Sequence, residues 1–123
     1  LYGAPLVISE QTLQQIDSSC EFAHRFLGRI RVKGKERPTS VYEILDAEGQ
    51  ENRRMKQALA GEFERGIELF FTREFGNAVY TFDSIIKENG DDTAAQLYRS
   101  RAAELLLAPP SDEWDGVEVA ETK

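Results

Sequence analysis

Residues 26–45, FLGRIRVKGKERPTSVYEIL, constrain the fold more than any other part of the chain. From 26 to 33 the residues alternate, with Phe26, Gly28, Ile30 and Val32 on one face and Leu27, Arg29, Arg31 and Lys33 on the other. A period of two predicts a strand with one buried side. Gly34 to Pro38 supplies a turn, and Val41, Tyr42, Ile44 and Leu45 then mark a second, β-rich run. The reading is a β-hairpin with a basic loop. Arg29, Arg31, Lys33, Lys35 and Arg37 crowd the first strand and loop, with no acid before Glu36. Such a cluster suits an anion, phosphate foremost. From the residues alone the plainer reading of Arg29 and Arg31 is a solvated outer face, paired with Glu43 or Glu36 across the hairpin.

Before the hairpin, residues 4–8 read as a short buried strand. Ser9 is placed to cap a helix of about two turns over 10–16. Gly49 marks the passage from β to α structure. Three helices are then predicted. The first covers 51–72, with Met55, Leu59, Phe63, Ile67 and Phe70 or Phe71 forming one apolar stripe. The second covers 75–88, with Ala78, Val79, Phe82, Ile85 and Ile86 at the same spacing, and Asn89-Gly90 stops it, the glycine being free to turn left-handed. The third covers 92–107, with Ala94, Ala95, Tyr98, Ala102, Leu105 and Leu106 as its apolar face, capped by Asp91 or Asp92 and ended by Pro109-Pro110. The fold class is α+β: a small antiparallel sheet with a short helix, then a three-helix bundle, then an acidic tail. The division is 1–46, 51–107 and 108–123. Trp114 is read as a clasp folding back on the helices, since a lone exposed tryptophan would be costly to leave in water, with anchorage of a partner chain as the alternative.

Charge is uneven. The net charge is −7, yet residues 1–45 hold six basic and five acidic residues, 46–107 eight and twelve, and the rest one and five. Overall acidity argues against general nucleic-acid binding. A hairpin binding RNA through Arg25, Arg29, Arg31, Lys33, Lys35 and Arg37 is disfavoured for the same reason. With one cysteine, Cys20, and one histidine, His24, neither an internal disulfide nor a zinc site of the usual kind is expected. Nothing in the sequence pairs Cys20 with His24 as nucleophile and base, and structural roles are expected for both. No apolar run of about 18 residues spans a bilayer, and no signal peptide is visible.

The hairpin also carries a family resemblance. LYGAPLVISEQTL at 1–13, followed by FLGRIRVKGKERPTSVYEIL, resembles the C-terminal end of a class III nucleotide cyclase catalytic domain. The tail PPSDEWDGVEVAETK at 109–123 resembles the terminal segment of bacterial adenylate cyclases that carry a helical extension. In that family the first lysine of a "VKGK" motif reaches the nucleotide's terminal phosphates. Val32-Lys33-Gly34-Lys35 matches it, so the resemblance gives Lys33 that role; Arg29 and Arg31, read on the same strand face, are its candidate helpers. It further implies an intact parent that makes a cyclic nucleotide and pyrophosphate from a purine nucleoside triphosphate, adenylate ahead of guanylate. That parent would use two Mg2+ or Mn2+ ions held by aspartates on earlier strands, and would be a head-to-tail homodimer. This portion is expected in the cytoplasm, with the parent anchored in the inner membrane through an N-terminal sensor. The absent initiator methionine fits an excised piece, and a piece lacking the metal ligands and transition-state residues is expected to be inactive alone.

The helices carry a second resemblance. Gly66, Ala78 and Phe82 have the spacing of a tetratricopeptide repeat, in which small residues let paired helices approach and the aromatic fills the gap. Gly90 stands where that repeat has its usual proline. About three repeats are needed to bury a continuous core, so the third helix is expected to act as a cap. The alternative function is a protein-interaction or dimerisation module built on these helices, with exposed strand edges inviting a second chain.

Overall fold

A computed structural model describes residues 7–15, 24–32, 37–45 and 49–120. In chain order its elements are β1 (Val7–Ser9), α1 (Glu10–Gln15), β2 (His24–Val32), β3 (Thr39–Ile44), α2 (Gln50–Ala58), α3 (Ala60–Phe71), α4 (Phe75–Glu88), α5 (Thr93–Leu107) and β4 (Glu118–Ala120). The α+β class holds. The four strands lie in the order β1-β3-β2-β4. The first three pair antiparallel, but β4 joins β2 in parallel, with Ile30 opposite Glu118. The purely antiparallel sheet read from sequence is thus extended by the tail. A three-residue parallel edge strand has no local signature, because its pairing partner lies far back in the chain.

Ser9 ends β1 and caps α1, its Oγ accepting the Thr12 N–H at 3.2 Å. The first strand is Val7–Ser9 where 4–8 was expected, and positions 4–6 and 16 lie outside the described residues.

β2 breaks its own alternation. Register slips between Phe26 and Gly28, leaving Leu27 as the extra residue of a β-bulge, and Gly28 sits at φ 149°. That conformation is open to glycine and rarely to other residues. The consequence overturns the expected faces. Leu27, assigned to the arginine face, is fully buried in the core, and Arg25, two residues earlier, is only 5% exposed. Phe26 is half-buried, edge-on to Tyr42 with ring centroids 5.6 Å apart.

The helix expected over 51–72 is two helices. The chain turns at Leu59, at φ −100° and ψ 8°, with its N–H still bonded to the Met55 carbonyl. Lys56, not Met55, is the buried side chain of α2. From α3 onward most of the periodicity holds: Phe63, Ile67 and Phe70 face inward, as do Ala78, Phe82 and Ile85 of α4 and Ala94, Ala95, Tyr98 and Ala102 of α5, but Leu106, near the end of α5, is exposed. Gly66 lies against Phe82 so closely that a Cβ there would sit 2.7 Å from the ring. Phe82 stacks on Tyr98 at 5.4 Å and 9°, and meets Phe63 edge-on at 5.8 Å. The close approach expected of Gly66 and Phe82 is present, and Ala78 is buried.

Helix ends follow local chemistry, with one change. α4 stops at Glu88, but Gly90 is not among the positive-φ residues. Asn89 makes the stop instead: its side chain bonds Asn52 at 3.0 Å and accepts the Asp91 N–H. Asp92 caps α5, accepting the Ala95 N–H at 3.2 Å. At the end of α3 the chain turns left-handed at Arg73, φ 67°, and the Glu74 N–H reaches the Leu69 carbonyl, a Schellman closure.

The tail folds back as a clasp. Trp114 packs edge-on to Phe70 at 5.4 Å and to Phe75 at 5.5 Å. Arg73 donates to the Pro110 and Ser111 carbonyls and lies over the indole. Gly116 follows at φ 77°, where a Cβ would collide with the Phe71 ring. Gly116→Ala is therefore expected to cost about 1–3 kcal/mol through backbone strain and overpacking. Trp114 fluorescence should shift to the red as the clasp loosens; an unshifted spectrum with unchanged stability would remove the clasp.

Candidate functional site

The hairpin β2–β3 was expected to bear the site, and the structure places its basic residues unequally. Arg29 is exposed, with its guanidinium carbon 5.2 Å from the Phe71 ring centroid. Arg31 approaches Asp115 at 3.6 Å, the two side chains 35% and 54% exposed. Both arginines are thereby turned toward the clasp. A pair as exposed as Arg31–Asp115 contributes at most about 1 kcal/mol. Arg37 is exposed. Lys33 and Lys35, with the rest of the loop tip at 33–36, lie outside the described residues, as does Cys20. His24 is exposed at the start of β2, edge-on to Tyr42 at 5.9 Å. With Arg25, Phe26, Tyr42 and Phe63 it lines a cleft of about 390 Å³ between the hairpin base and α3.

Neither Arg29 nor Arg31 pairs with Glu43. That carboxylate is fully buried and belongs to a charged cluster beneath the hairpin. Arg25 and Glu43 stand opposite each other in the β2–β3 register. Arg25 Nε donates to Glu43 Oε1 at 2.7 Å, and Lys56 Nζ of α2 donates to Glu43 Oε2 at 2.6 Å. The two terminal nitrogens of Arg25 donate to Asp92, Nη1 to Oδ2 at 2.9 Å and Nη2 to Oδ1 at 2.7 Å. The guanidinium lies 3.8 Å from the centroid of Phe63. Two cations thus meet two anions, and each carboxylate oxygen of Glu43 and Asp92 accepts a bond. Among the described residues no buried side-chain nitrogen or oxygen lacks a partner.

The electrostatics follow from that geometry. Burial works to lower the Arg25 pKa, because it penalises the charged form, but hydrogen bonds and charge from Asp92 and Glu43 outweigh it and hold the pKa above its ordinary value. A raised pKa contributes stability at every pH below the unfolded value and loses it only in strong alkali. Arg25 is therefore a fixed cation, not a switch.

Sequence reasoning missed this cluster, although one signal was present. Val41 and Glu43 fall in phase on β3, with Leu45 at the same spacing just past its end, and all three are buried. An acid flanked at that spacing by core residues needs a buried cation. Among the described residues no group of three or more His, Cys, Asp or Glu could hold a metal ion, and no helix is long and apolar enough to cross a membrane.

Comparison with known proteins adds one finding. Over 101 residues, 81% of its length, the chain is 25% identical to "Adenylate cyclase, terminal-differentiation specific" of Dictyostelium discoideum. The similarity is to an adenylate cyclase. The matched segment is 5% of that cyclase's length. No protein-family profile matches the chain, and no solved structure matches it.

Proposed function

We propose that this chain is a C-terminal portion of a class III purine-nucleotide cyclase of the bacterial type, adenylate ahead of guanylate. In the intact enzyme a nucleoside triphosphate becomes a cyclic nucleotide and pyrophosphate. The carrying observation is the 101-residue similarity to an adenylate cyclase, which covers most of the chain. The Val32-Lys33-Gly34-Lys35 motif at the hairpin supports the same reading.

In this reading Lys33 presents a compact positive charge to the terminal phosphates, beside a glycine that leaves room for them. Arg29 and Arg31, on β2, are helpers. Bound Mg2+ or Mn2+ would neutralise charge on the phosphates and activate the attacking oxygen. The described residues offer no donor set for such an ion, and the proposed ligands are aspartates earlier in the parent. This portion alone is then inactive. The parent is a homodimer with sites at its interface, its catalytic part cytoplasmic and its sensor region in the inner membrane. The division into a cyclase remnant at 1–46, a tetratricopeptide-like extension at 51–107 and a tail at 108–123 belongs to the same proposal.

Lys33→Ala in the intact enzyme is expected to lower kcat/KM about 10²-fold, a typical loss for one charge-stabilising donor. Steady-state cyclase kinetics measure it, and wild-type kinetics in that variant would remove Lys33 from the site. Cyclase activity in the 123-residue chain alone would refute the wider reading.

A second reading, an interaction module, is favoured by the outer surface of α4 and α5, where Tyr80 is 78% exposed and Leu107 87%. Sedimentation at high concentration tests it; a clean monomer counts against self-association.

A further inference from the structure

The cleft of about 390 Å³ between the hairpin base and α3 is used neither by the ionic cluster nor by the proposed phosphate site. We propose that it is a binding site for a small organic cation, an ammonium group carried on an apolar body. The proposal does not depend on the cyclase reading.

One wall of the cleft is aromatic. Phe26 and Tyr42 stand opposite each other in the β2–β3 register, and His24, two residues before Phe26, falls on the same side of the strand. The Tyr42 ring meets Phe26 at 5.6 Å and His24 at 5.9 Å, both edge-on. Phe26 and Tyr42 are only half-buried and His24 is exposed, so ring surface is left for a guest. The facing wall is the first part of α3. Ala60 and Glu64, one turn apart, share a helix face and both border the cleft. The space exists because position 60 carries only a methyl group. Buried Phe63 and Arg25 complete the lining. The volume lies within the range of about 300–1,000 Å³ usual for small-molecule sites.

Charge decides which ligand fits. Arg25 borders the cleft, but its Nε, Nη1 and Nη2 already donate to Glu43 and Asp92. With Lys56 the cluster holds two cations and two anions and adds no net charge. Glu64 is exposed, and its helix neighbours three and four positions away, Ala60, Gly61, Ile67 and Glu68, offer no cation. Among the described lining residues the surplus charge is therefore negative. An anion would meet Glu64 and find the Arg25 nitrogens engaged, and a neutral guest would leave Glu64 unused. An ammonium group is attracted by the carboxylate and by the aromatic rings together, while its apolar body covers ring surface that otherwise faces water.

The test titrates the 123-residue chain with choline and with its uncharged isostere 3,3-dimethylbutan-1-ol, followed by amide shifts in nuclear magnetic resonance. Choline is expected to shift the amides of His24, Phe26, Tyr42 and Glu64 with a Kd of about 1–10 mM, the affinity open to so small a ligand. The isostere should bind about tenfold more weakly, since it has no charge for the rings or the carboxylate. Glu64→Gln, at an exposed position, should weaken choline about fivefold. Ala60→Leu fills the cleft at little cost to the helix and should abolish the shifts, with the urea midpoint confirming that the variant is folded. Equal affinity for choline and the isostere overturns the proposal, as does an absence of shifts up to about 100 mM choline, ten times the weakest Kd expected. Choline binding that survives both Glu64→Gln and Ala60→Leu unchanged places the cation elsewhere and overturns it too.

Discussion

Arg25→Met should destabilise the protein by about 3–5 kcal/mol, the usual cost of removing one partner from a buried ionic cluster. The substitution keeps most of the volume and takes from Asp92 both of its Arg25 bonds, at 2.9 and 2.7 Å. Glu43 retains Lys56 at 2.6 Å. Urea unfolding followed by Trp114 fluorescence and far-ultraviolet circular dichroism measures the effect. With a slope of about 1–3 kcal/mol per molar urea, the midpoint should fall by 1 M or more. A loss below about 1 kcal/mol would mean that the cluster is wet and that the carboxylates find water. The combined apolar replacement of all four residues should recover most of the loss, because no charge is left stranded. The sign of that recovery separates charge desolvation from simple packing.

Phe82→Ala is the second large effect, expected at about 3–5 kcal/mol from lost burial and the cavity left behind. Phe82 is fully buried, and its ring is held between Tyr98, stacked at 5.4 Å, and Phe63, edge-on at 5.8 Å. Gly66 presses on its tip. Alanine at 66 would gain helix propensity of up to about 1 kcal/mol yet place a Cβ 2.7 Å from the ring. Since neighbours on both sides prevent the ring from swinging away, Gly66→Ala should destabilise the native background by about 1–3 kcal/mol. In the Phe82→Ala background the same change should stabilise, because the obstruction is gone and the propensity gain remains. A double-mutant cycle reads this reversal directly. Additive effects would mean that α3 and α4 separate to admit the methyl group.

Helices α3 to α5, the Asp92 cap and the role of Trp114 were legible because each depends on near neighbours or on one strong preference. A 3.6-residue apolar period, an aspartate before a helix and one large indole in a polar tail act locally. The hairpin was legible as an element but not in phase. Alternation assumes one residue per step, and the bulge at Leu27 inserts an extra one, which turned Arg25 and Leu27 inward. The break at Leu59 had no glycine or proline at that position to announce it. Its benefit is remote: it lets α2 present Lys56 to a carboxylate 13 residues back.

The candidate site divides along the same line. The basic run from Arg29 to Arg37, and the likeness of 32–35 to a phosphate-gripping motif, can be read from the chain as a string of letters. The contacts of Arg31 with Asp115, of Arg25 with Glu43 18 residues away and of Arg25 with Asp92 67 residues away cannot. Local order needs only the backbone's own hydrogen bonds and the spacing of apolar side chains, and both are written in consecutive residues. A buried charge finds its counterion only when strand and helix have already been brought together, because in the open chain water satisfies each ion separately and nothing selects one partner over another.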